Sequence, residues 1–314
     1  MILFSEQLCL LLGMEQGGKC MYGVIDIGSN TVRLSCYKVV KKELIYVFHK
    51  KNMAGLASYV EKSGKLSDKG IKASIDILND FKKIVSCVGL DQLFVIATAS
   101  FRNVSNTKEI VDQIYKNTGL MVDVLTGEEE AVCDFIGATY HASYSDGMIV
   151  DIGGGSTELV CFEKGQAGKA VSIPVGSLNF FYRFVEKMFP NEKEEKEIRK
   201  AVREELEKLG IKKQSLIVGV GGTQRACLKL YNDFYEIDLG NRSMDSERIS
   251  YMLEQLLNGK KTRKNRILRI VPDRIHTILP GIILMDEINK VYKTKKVEVS
   301  SWGVREGYLI QELL

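Results

Sequence analysis

The sequence predicts an α/β fold with two similar lobes on either side of a cleft. Residues 24–34 and 149–159 share one pattern: an apolar strand ending in Asp-Ile-Gly, a turn of small polar residues and a second strand. Continuous apolar runs such as residues 93–97 are typical of strands buried on both faces. Segments with an apolar residue every three or four positions, such as residues 67–88, predict helices between the strands.

Length and composition exclude several classes of protein. The chain has 314 residues, which at roughly 100–200 residues per domain gives two domains. Apolar residues make up 45% and charged residues 27%, and this ordinary globular balance excludes disorder and collagen-like repeats. Net charge is only +4, from 44 basic and 40 acidic residues. We therefore expect no specific nucleic-acid partner.

The cysteines and the apolar runs predict where the protein resides. Seven cysteines are present, an odd number, and no two have C-x-x-C spacing, which indicates a reduced, cytoplasmic protein without a disulfide framework or zinc site. No apolar run approaches the ~20 residues that span a bilayer. Residues 1–12 are apolar, but Glu6 and Gln7 interrupt them and no basic residue precedes them. They do not resemble a signal peptide, and residues 1–20 are given no function.

The elements of the first half follow from these patterns in chain order. Three consecutive strands form a meander, a long helix with one apolar face follows, and two more strands flank a short helix. The predicted strands are residues 22–27, 32–40, 43–48, 93–97 and 121–125, and the predicted helices are 67–88 and 107–117. Residues 128–130, all glutamates, open the next helix, where negative charge favours the helix dipole.

The second half begins again with a strand, turn and strand, and then becomes mostly helical. Its predicted strands are residues 148–152, 158–163, 170–174, 215–220 and 297–300. Its predicted helices are 191–210, one entered at 221–223, 245–258, 262–270, 273–291 and 303–314. We expect residues 1–125 to form the first lobe, completed by the C-terminal strand and helix (299–314), and residues 126–298 to form the second.

The turns of the repeat favour phosphate binding. Glycine lets backbone N–H groups approach an anion closely, and successive N–H groups in such turns bind phosphate oxygens. A third glycine loop lies between a strand and a helix, where the helix N-terminus also favours phosphate. The candidate phosphate-binding residues are Gly28, Ser29, Asn30, Thr31, Gly153, Gly154, Gly155, Ser156, Thr157, Gly221, Gly222 and Thr223. Neither a Walker P-loop nor a Rossmann fingerprint occurs.

The duplicated Asp-Ile-Gly hairpins resemble the actin, Hsp70 and hexokinase superfamily, and five segments together resemble its exopolyphosphatase/guanosine pentaphosphate phosphohydrolase (Ppx/GppA) family. The five are Asp26-Ile-Gly-Ser-Asn-Thr, Ala97-Thr-Ala-Ser-Phe-Arg, Thr126-Gly-Glu-Glu-Glu-Ala, Asp151-Ile-Gly-Gly-Gly-Ser-Thr-Glu and Gly219-Val-Gly-Gly-Thr. The resemblance runs from about residue 22 to the last residue and looks like the short, two-domain form. It implies two actin-like (ribonuclease H-like) lobes and hydrolysis of a phosphoanhydride.

Three acids and one arginine are the candidates for the chemistry. Asp151 and Glu158 stand at the two ends of the second glycine turn and are assigned to Mg²⁺ or another divalent cation, since hard cations prefer carboxylates. The resemblance implies that Glu130 is the general base, because Ala131 fixes the register of the family's motif; the residues alone do not select it from Glu128 and Glu129. Arg102 resembles the family's phosphate clamp, whose planar fork binds two oxygens.

Further basic residues have weaker assignments. Arg33 resembles an arginine that lies near a guanosine tetraphosphate-type ligand in short members of the family, and Arg274 is a similar, weaker candidate for contact with a nucleotide or polyphosphate. Residues 259–274 carry seven basic residues against one acid, Asp273. This run is either a solvated face or a track for a long polyphosphate, and a track would be salt-sensitive.

Four functions remain compatible with these residues. The first is a Mg²⁺-dependent exopolyphosphatase, and the second hydrolyses guanosine pentaphosphate (pppGpp) to ppGpp at the same site. The third, a sugar or acid kinase, is disfavoured by the Thr126-Gly-Glu-Glu-Glu-Ala segment. The fourth, a non-catalytic alarmone or polyphosphate sensor, is disfavoured by the presence of Glu130, Asp151, Glu158 and Arg102. The resemblance also implies a homodimer, and closure of the lobes around the substrate is expected.

Overall fold

The fold is taken from a computed structural model of the chain, which describes residues 20–314; for Lys260 and Lys261 it describes the backbone only. The expectations for residues 1–19 therefore lie outside the described residues. Within residues 20–314, no helix combines the length and apolar character needed to cross a bilayer. The six cysteines in this part of the chain are free thiols.

The first sheet has five strands in the order β3-β2-β1-β4-β5. These are β1 (Cys20–Ile27), β2 (Thr31–Val40), β3 (Glu43–Met53), β4 (Gln92–Ala97) and β5 (Asp123–Val124). Strand β1 pairs antiparallel with β2 and parallel with β4. The predicted strand at 121–125 is reduced to two residues, because Met121 lies outside the apolar core and is 79% exposed.

Helices cover one face of this sheet. They are α1 (Asp68–Val88), α2 (Ala99–Arg102) and α3 (Thr107–Thr118), with a 3₁₀ turn at Leu56–Tyr59. Helix α1 begins where Ser67 Oγ accepts a hydrogen bond from the Gly70 N–H, and its apolar face packs on the sheet as its periodicity predicts. The short α2 was not predicted, and its place directly after β4 brings Arg102 to the carboxyl end of the sheet.

The second lobe begins with α4 (Gly127–Thr139), and its sheet has the order β10-β11-β9-β6-β7-β8. The strands are β6 (Gly147–Ile152), β7 (Thr157–Glu163), β8 (Gln166–Ile173), β9 (Leu216–Val220), β10 (Ser243–Asp245) and β11 (Lys296–Val299). Strand β6 pairs antiparallel with β7 and parallel with β9, which repeats the pairing of β1 with β2 and β4. The two-lobed α/β prediction is confirmed by this duplicated topology.

Helix α4 covers one face of the second sheet, and most of the remaining helices cover the other. They are α5 (Ser177–Phe184), α6 (Glu192–Glu207), α7 (Gly221–Phe234), α8 (Ser246–Asn258), α9 (Lys260–Ile270) and α10 (Ile278–Tyr292). Helix α6 buries Ile198, Val202 and Leu206, as its charged but periodic sequence predicts. The helix predicted at 273–291 begins only at Ile278, because Pro272–Arg274 forms a 3₁₀ turn.

The chain closes with α11 (Val304–Leu313), which joins the two lobes. Its Leu309 packs into an apolar cluster with Val24 and Ile96 of the first sheet. The predicted return of the C-terminal strand to the first lobe is wrong, because β11 pairs in parallel with β9 of the second sheet. Only the helix crosses back.

Glycines bring α11 into backbone contact with α4. A Cβ on Gly307 would lie 1.8 Å from the Cys133 carbonyl oxygen, and a Cβ on Gly137 would lie 2.2 Å from the Gly303 oxygen. No larger residue fits either position without moving a helix. Helix α4 therefore has a fixed position between the second sheet and α11.

Candidate active site

The two turns of the repeat meet at the cleft. The Gly28 N–H donates to the Thr31 carbonyl at 3.0 Å, and the Gly153 N–H donates to the Ser156 carbonyl at 3.0 Å. These matching bonds give both turns the same shape. A Cβ on Gly155 would lie 3.1 Å from Ser29 Oγ, so the turns touch across the interface between the lobes. Small residues are needed here because the lobes approach so closely.

The third glycine loop closes the other side of the cleft. Helix α7 begins at Gly221, whose φ of +80° lies in the left-handed region that favours glycine. A Cβ at this position would lie 1.9 Å from Asp151 Oδ1, and a Cβ on Gly222 would lie 2.0 Å from Arg274 Nη2. The glycines therefore let an acid and an arginine lie directly against the helix N-terminus.

The residues that line this cleft include most of the predicted phosphate-binding positions. They are Gly28, Ser29, Asn30, Thr31, Gly153, Gly154, Gly155, Ser156, Gly221, Gly222 and Thr223. Thr157 is the exception and corrects the prediction. Its side chain is fully buried and its Oγ donates to the Val175 carbonyl at 2.6 Å, so the hydroxyl serves the fold rather than the cleft.

Asp151 and Glu158 face each other across the β6–β7 ladder, as their places at the ends of the turn predict. Asp151 lines the cleft, whereas Glu158 lies behind it, 2% exposed, with Oε1 accepting from Ser172 Oγ at 2.7 Å. Burial, together with the charge of the nearby Asp151, raises the pKa of Glu158 to about 7. Burial also raises the pKa of Asp151 to about 6. Both acids are held where their negative charge lacks full compensation.

The structure distinguishes the three adjacent glutamates. Glu129 forms a capping box with Thr126, accepting from its N–H at 2.8 Å, and Glu128 is exposed to solvent. Glu130 is 7% exposed and lines the cleft. Burial raises the pKa of Glu130 well above its ordinary value, and the Glu158 charge raises it further, whereas Arg102 lowers it. Of the three, only Glu130 can reach a group in the cleft.

Arg102 binds acids in this structure. Its Nη1 donates to Glu130 Oε2 at 2.7 Å and to the Leu125 carbonyl at 3.0 Å, and its Nη2 lies 3.4 Å from Glu158 Oε1. It therefore fixes the candidate base and one candidate cation ligand relative to each other. A role as a phosphate clamp stays a prediction. It requires the guanidinium to bind phosphate oxygens of the substrate in addition to the two acids.

Four arginines line the cleft, and Arg102 is not among its lining residues. Two of the four were missed by the sequence analysis. Arg33 and Arg274 were predicted, whereas Arg225 of α7 and Arg305 of α11 were not. Burial, together with the positive charges of Arg305 and Arg225, lowers the pKa of Arg33 to about 10. Repulsion among buried guanidinium groups is relieved when a polyanion binds between them. Asp26, the partner of Asp151 in the repeat, lies among these arginines.

Three arginines of the basic run at 259–274 contact other residues of the second lobe, whereas Arg274 lines the cleft. Arg266 Nε lies 3.2 Å from Asp233 Oδ2, and Arg269 Nη2 lies 2.8 Å from Asp233 Oδ1. The guanidinium of Arg263 stacks on the Phe189 ring at 4.4 Å. These contacts favour a solvated face that anchors α9, and the polyphosphate track stays a prediction.

The donor set fits a divalent cation that is partly coordinated by substrate. Among residues 20–314, no group of three or more His, Cys, Asp or Glu side chains is close enough to bind a metal alone. Mg²⁺ commonly uses one or two carboxylates and takes its other oxygens from water and phosphates. Asp151 and Glu158 supply two carboxylates, and the Asp151 carboxylate keeps its position beside the cleft because Gly221 has no side chain to displace it.

The raised pKa of Glu158 predicts how stability depends on pH without a divalent cation. The folded form has a pKa of about 7 against an ordinary value of 4.5, so between these values the folded protein binds a proton that the unfolded chain lacks. The contribution of Glu158 to the free energy of unfolding is therefore complete below about pH 4.5 and is lost as pH rises through 7.

Urea unfolding in EDTA from pH 5 to pH 8 tests this prediction. The wild-type protein should lose stability as pH rises, and Glu158→Gln should lose less over the same range. An equal slope in both proteins would mean that Glu158 titrates normally.

Three comparisons relate this chain to known proteins. A model of the Ppx/GppA phosphatase family matches residues 35–314. Exopolyphosphatase 1 of Mycobacterium tuberculosis is 25% identical over 312 residues, which cover 93% of this chain and 88% of that protein. The crystal structure of the Aquifex aeolicus Ppx/GppA family member has a TM-score of 0.79 at 26% identity, covering 94% of this chain and 98% of that one. The crystal structure of an exopolyphosphatase from Cytophaga hutchinsonii shares the fold, with a TM-score of 0.82 at 21% identity over 93% of this chain and 98% of that one.

Proposed function

Because the chain belongs to the Ppx/GppA phosphatase family and is a phosphoanhydride hydrolase, we propose that it is an exopolyphosphatase that releases orthophosphate from the end of inorganic polyphosphate. The observation that carries this proposal is the lining of the cleft. Beside the glycine turns it presents four arginines, and no lining residue within 20–314 is aromatic. Such a surface suits a chain of phosphates and offers no ring on which a purine would stack.

The proposed reaction needs the terminal phosphate held, its charge balanced and a water aimed at phosphorus. The three glycine loops hold the phosphate oxygens through N–H groups, and Arg33, Arg225, Arg274 and Arg305 balance their charge. Glu130 takes the proton of the attacking water. Arg102 orients Glu130 through Oε2, which leaves Oε1 for that water.

Asp151 and Glu158 are the proposed ligands of Mg²⁺ or another divalent cation, which when bound neutralises charge on the transferred phosphoryl group. Both acids must lose their protons to bind it, so the affinity for the cation should weaken as pH falls below about 7. The cytoplasmic location and the homodimer stay predictions of the sequence analysis.

The test is phosphate release by the purified protein from long-chain polyphosphate and from pppGpp, side by side, with and without Mg²⁺. Release from polyphosphate that requires Mg²⁺ supports the proposal. Release from pppGpp alone would assign the protein to the guanosine pentaphosphate branch with the same site. Binding of either compound without cleavage would support the sensor function and contradict the proposal.

A further inference from the structure

One buried acid next to the candidate active site has no function in the mechanism above. Asp134 lies on α4, one turn after Glu130, and its side chain is fully buried. Neither of its carboxyl oxygens accepts a hydrogen bond of ordinary geometry from the described residues, although the Val304 N–H lies close enough to favour the charged form. A buried carboxyl in this state costs free energy, so the position calls for a ligand or another compensating group.

The surroundings of Asp134 connect it to the cleft. A Cβ on Gly303 would lie 3.0 Å from Asp134 Oδ1, and Gly303 itself lines the cleft, so only a glycine backbone separates the carboxyl from the site. Burial raises the pKa of Asp134 well above its ordinary value, and the charges of Asp151, Glu130 and Glu158 raise it further. The Val304 N–H at the start of α11 acts in the opposite direction.

The charges with the largest effects on the pKa of Asp134 are all negative, and its oxygens lack a hydrogen-bond donor of ordinary geometry. Asp151 is the charged neighbour with the largest effect on the pKa of Asp134, so the proposed cation ligand is a near neighbour of this carboxyl. A hydrated divalent cation would supply both the charge and the donors, because its bound waters are strong hydrogen-bond donors. Asp134 does not complete a set of three direct ligands, since the described residues contain no such group.

We propose that Asp134 is a positioning residue that accepts a hydrogen bond from a water bound to the divalent cation at Asp151 and Glu158. The inference rests on the proposed function only through the location of that cation. It explains why residue 303 is a glycine, since a side chain there would crowd the Asp134 carboxyl beside the cleft wall. It also explains why an acid that destabilises the cation-free protein is present in the core.

The experiment measures binding of Mn²⁺ alone to the full chain, by electron paramagnetic resonance of the free ion, without substrate. Mn²⁺ is a suitable probe because it prefers oxygen ligands in the same geometry as Mg²⁺. Asp134→Leu should weaken Mn²⁺ binding about tenfold or more, the usual effect of losing an outer partner of a metal site. Asp134→Asn keeps an acceptor oxygen and should lose less.

The matched control is Asn289→Leu, since Asn289 is a buried polar residue of α10 whose amide atoms also lack partners but which does not line the cleft. It should leave Mn²⁺ affinity unchanged. Unchanged affinity in both Asp134 variants would overturn the inference about Asp134. If Asp151→Asn abolishes Mn²⁺ binding in the same assay, the proposed cation site at Asp151 and Glu158 is still supported. Failure of the wild-type protein to bind Mn²⁺ would overturn both. If Asp134→Leu does not fold, Asp134→Asn alone decides.

Discussion

Replacement of Glu130 by glutamine is expected to lower kcat for polyphosphate hydrolysis by about 10²–10⁴-fold, the usual contribution of a general base. Glutamine has the same shape and can still accept the hydrogen bond from Arg102 Nη1, which is 2.7 Å from Glu130 Oε2 in the wild-type protein. It cannot take a proton from water. Because the replaced acid is buried and its pKa is raised, the free energy of unfolding should not fall.

The neighbouring Glu129 provides the matched control. Glu129→Gln keeps a capping-box acceptor for the Thr126 N–H and removes one charge from the same helix start. Its kcat should remain close to that of the wild-type protein. Initial rates of phosphate release over a range of pH provide the measurement, with the wild-type rate rising as Glu130 loses its proton. Equal losses in the two variants would contradict the assignment of the base.

Replacement of Gly221 by alanine should have the second large effect, by displacing Asp151. The new Cβ would lie 1.9 Å from Asp151 Oδ1, a distance at which one of the two groups must move. A displacement of about 1 Å in a catalytic group can cost on the order of 100-fold in rate. We expect a loss of that size in Mg²⁺-dependent activity, together with weaker binding of the cation.

Gly119→Ala separates this collision from backbone strain. Gly119 ends α3 with a φ of +72°, close to the +80° of Gly221, but a Cβ there meets nothing within 4 Å. In both variants, placing a Cβ on a residue in the left-handed region should lower the free energy of unfolding by about 1–2 kcal/mol. Only Gly221→Ala should lose cation affinity, measured by isothermal titration calorimetry. Normal affinity in that variant would mean that Asp151 does not bind the cation.

The fold was predictable because it is encoded twice. The pattern from Asp26 to Arg33 recurs from Asp151 to Glu158. In the structure Asp26 lies opposite Arg33, and Asp151 lies opposite Glu158, each pair in an antiparallel ladder. The last strand was assigned to the wrong lobe, because a strand of four residues carries no signal for its partner and only tertiary pairing with β9 decides it.

The candidate site was predictable where its residues belong to the glycine turns, and less so elsewhere. Arg225 and Arg305 reach the cleft from helices far apart in the chain, and no spacing relates them. Glu130 could be chosen from its neighbours by resemblance, whereas its burial is a tertiary property. Thr157 was misassigned because sequence does not reveal which way a hydroxyl at the start of a strand points.

The contact between α4 and α11 has a consequence for the order of events during synthesis. Cys133 Sγ donates to Gln311 Oε1 at 3.0 Å, although the two residues are 178 positions apart in the chain. The Gly307 backbone also packs directly against the Cys133 carbonyl. The helix that carries Glu130 emerges from the ribosome long before the segment that holds it in place. Closing so long a loop costs entropy and tends to be slow. A nascent chain can therefore assemble both glycine turns while its candidate base is still unsupported, and competence for hydrolysis should follow the release of α11 from the exit tunnel.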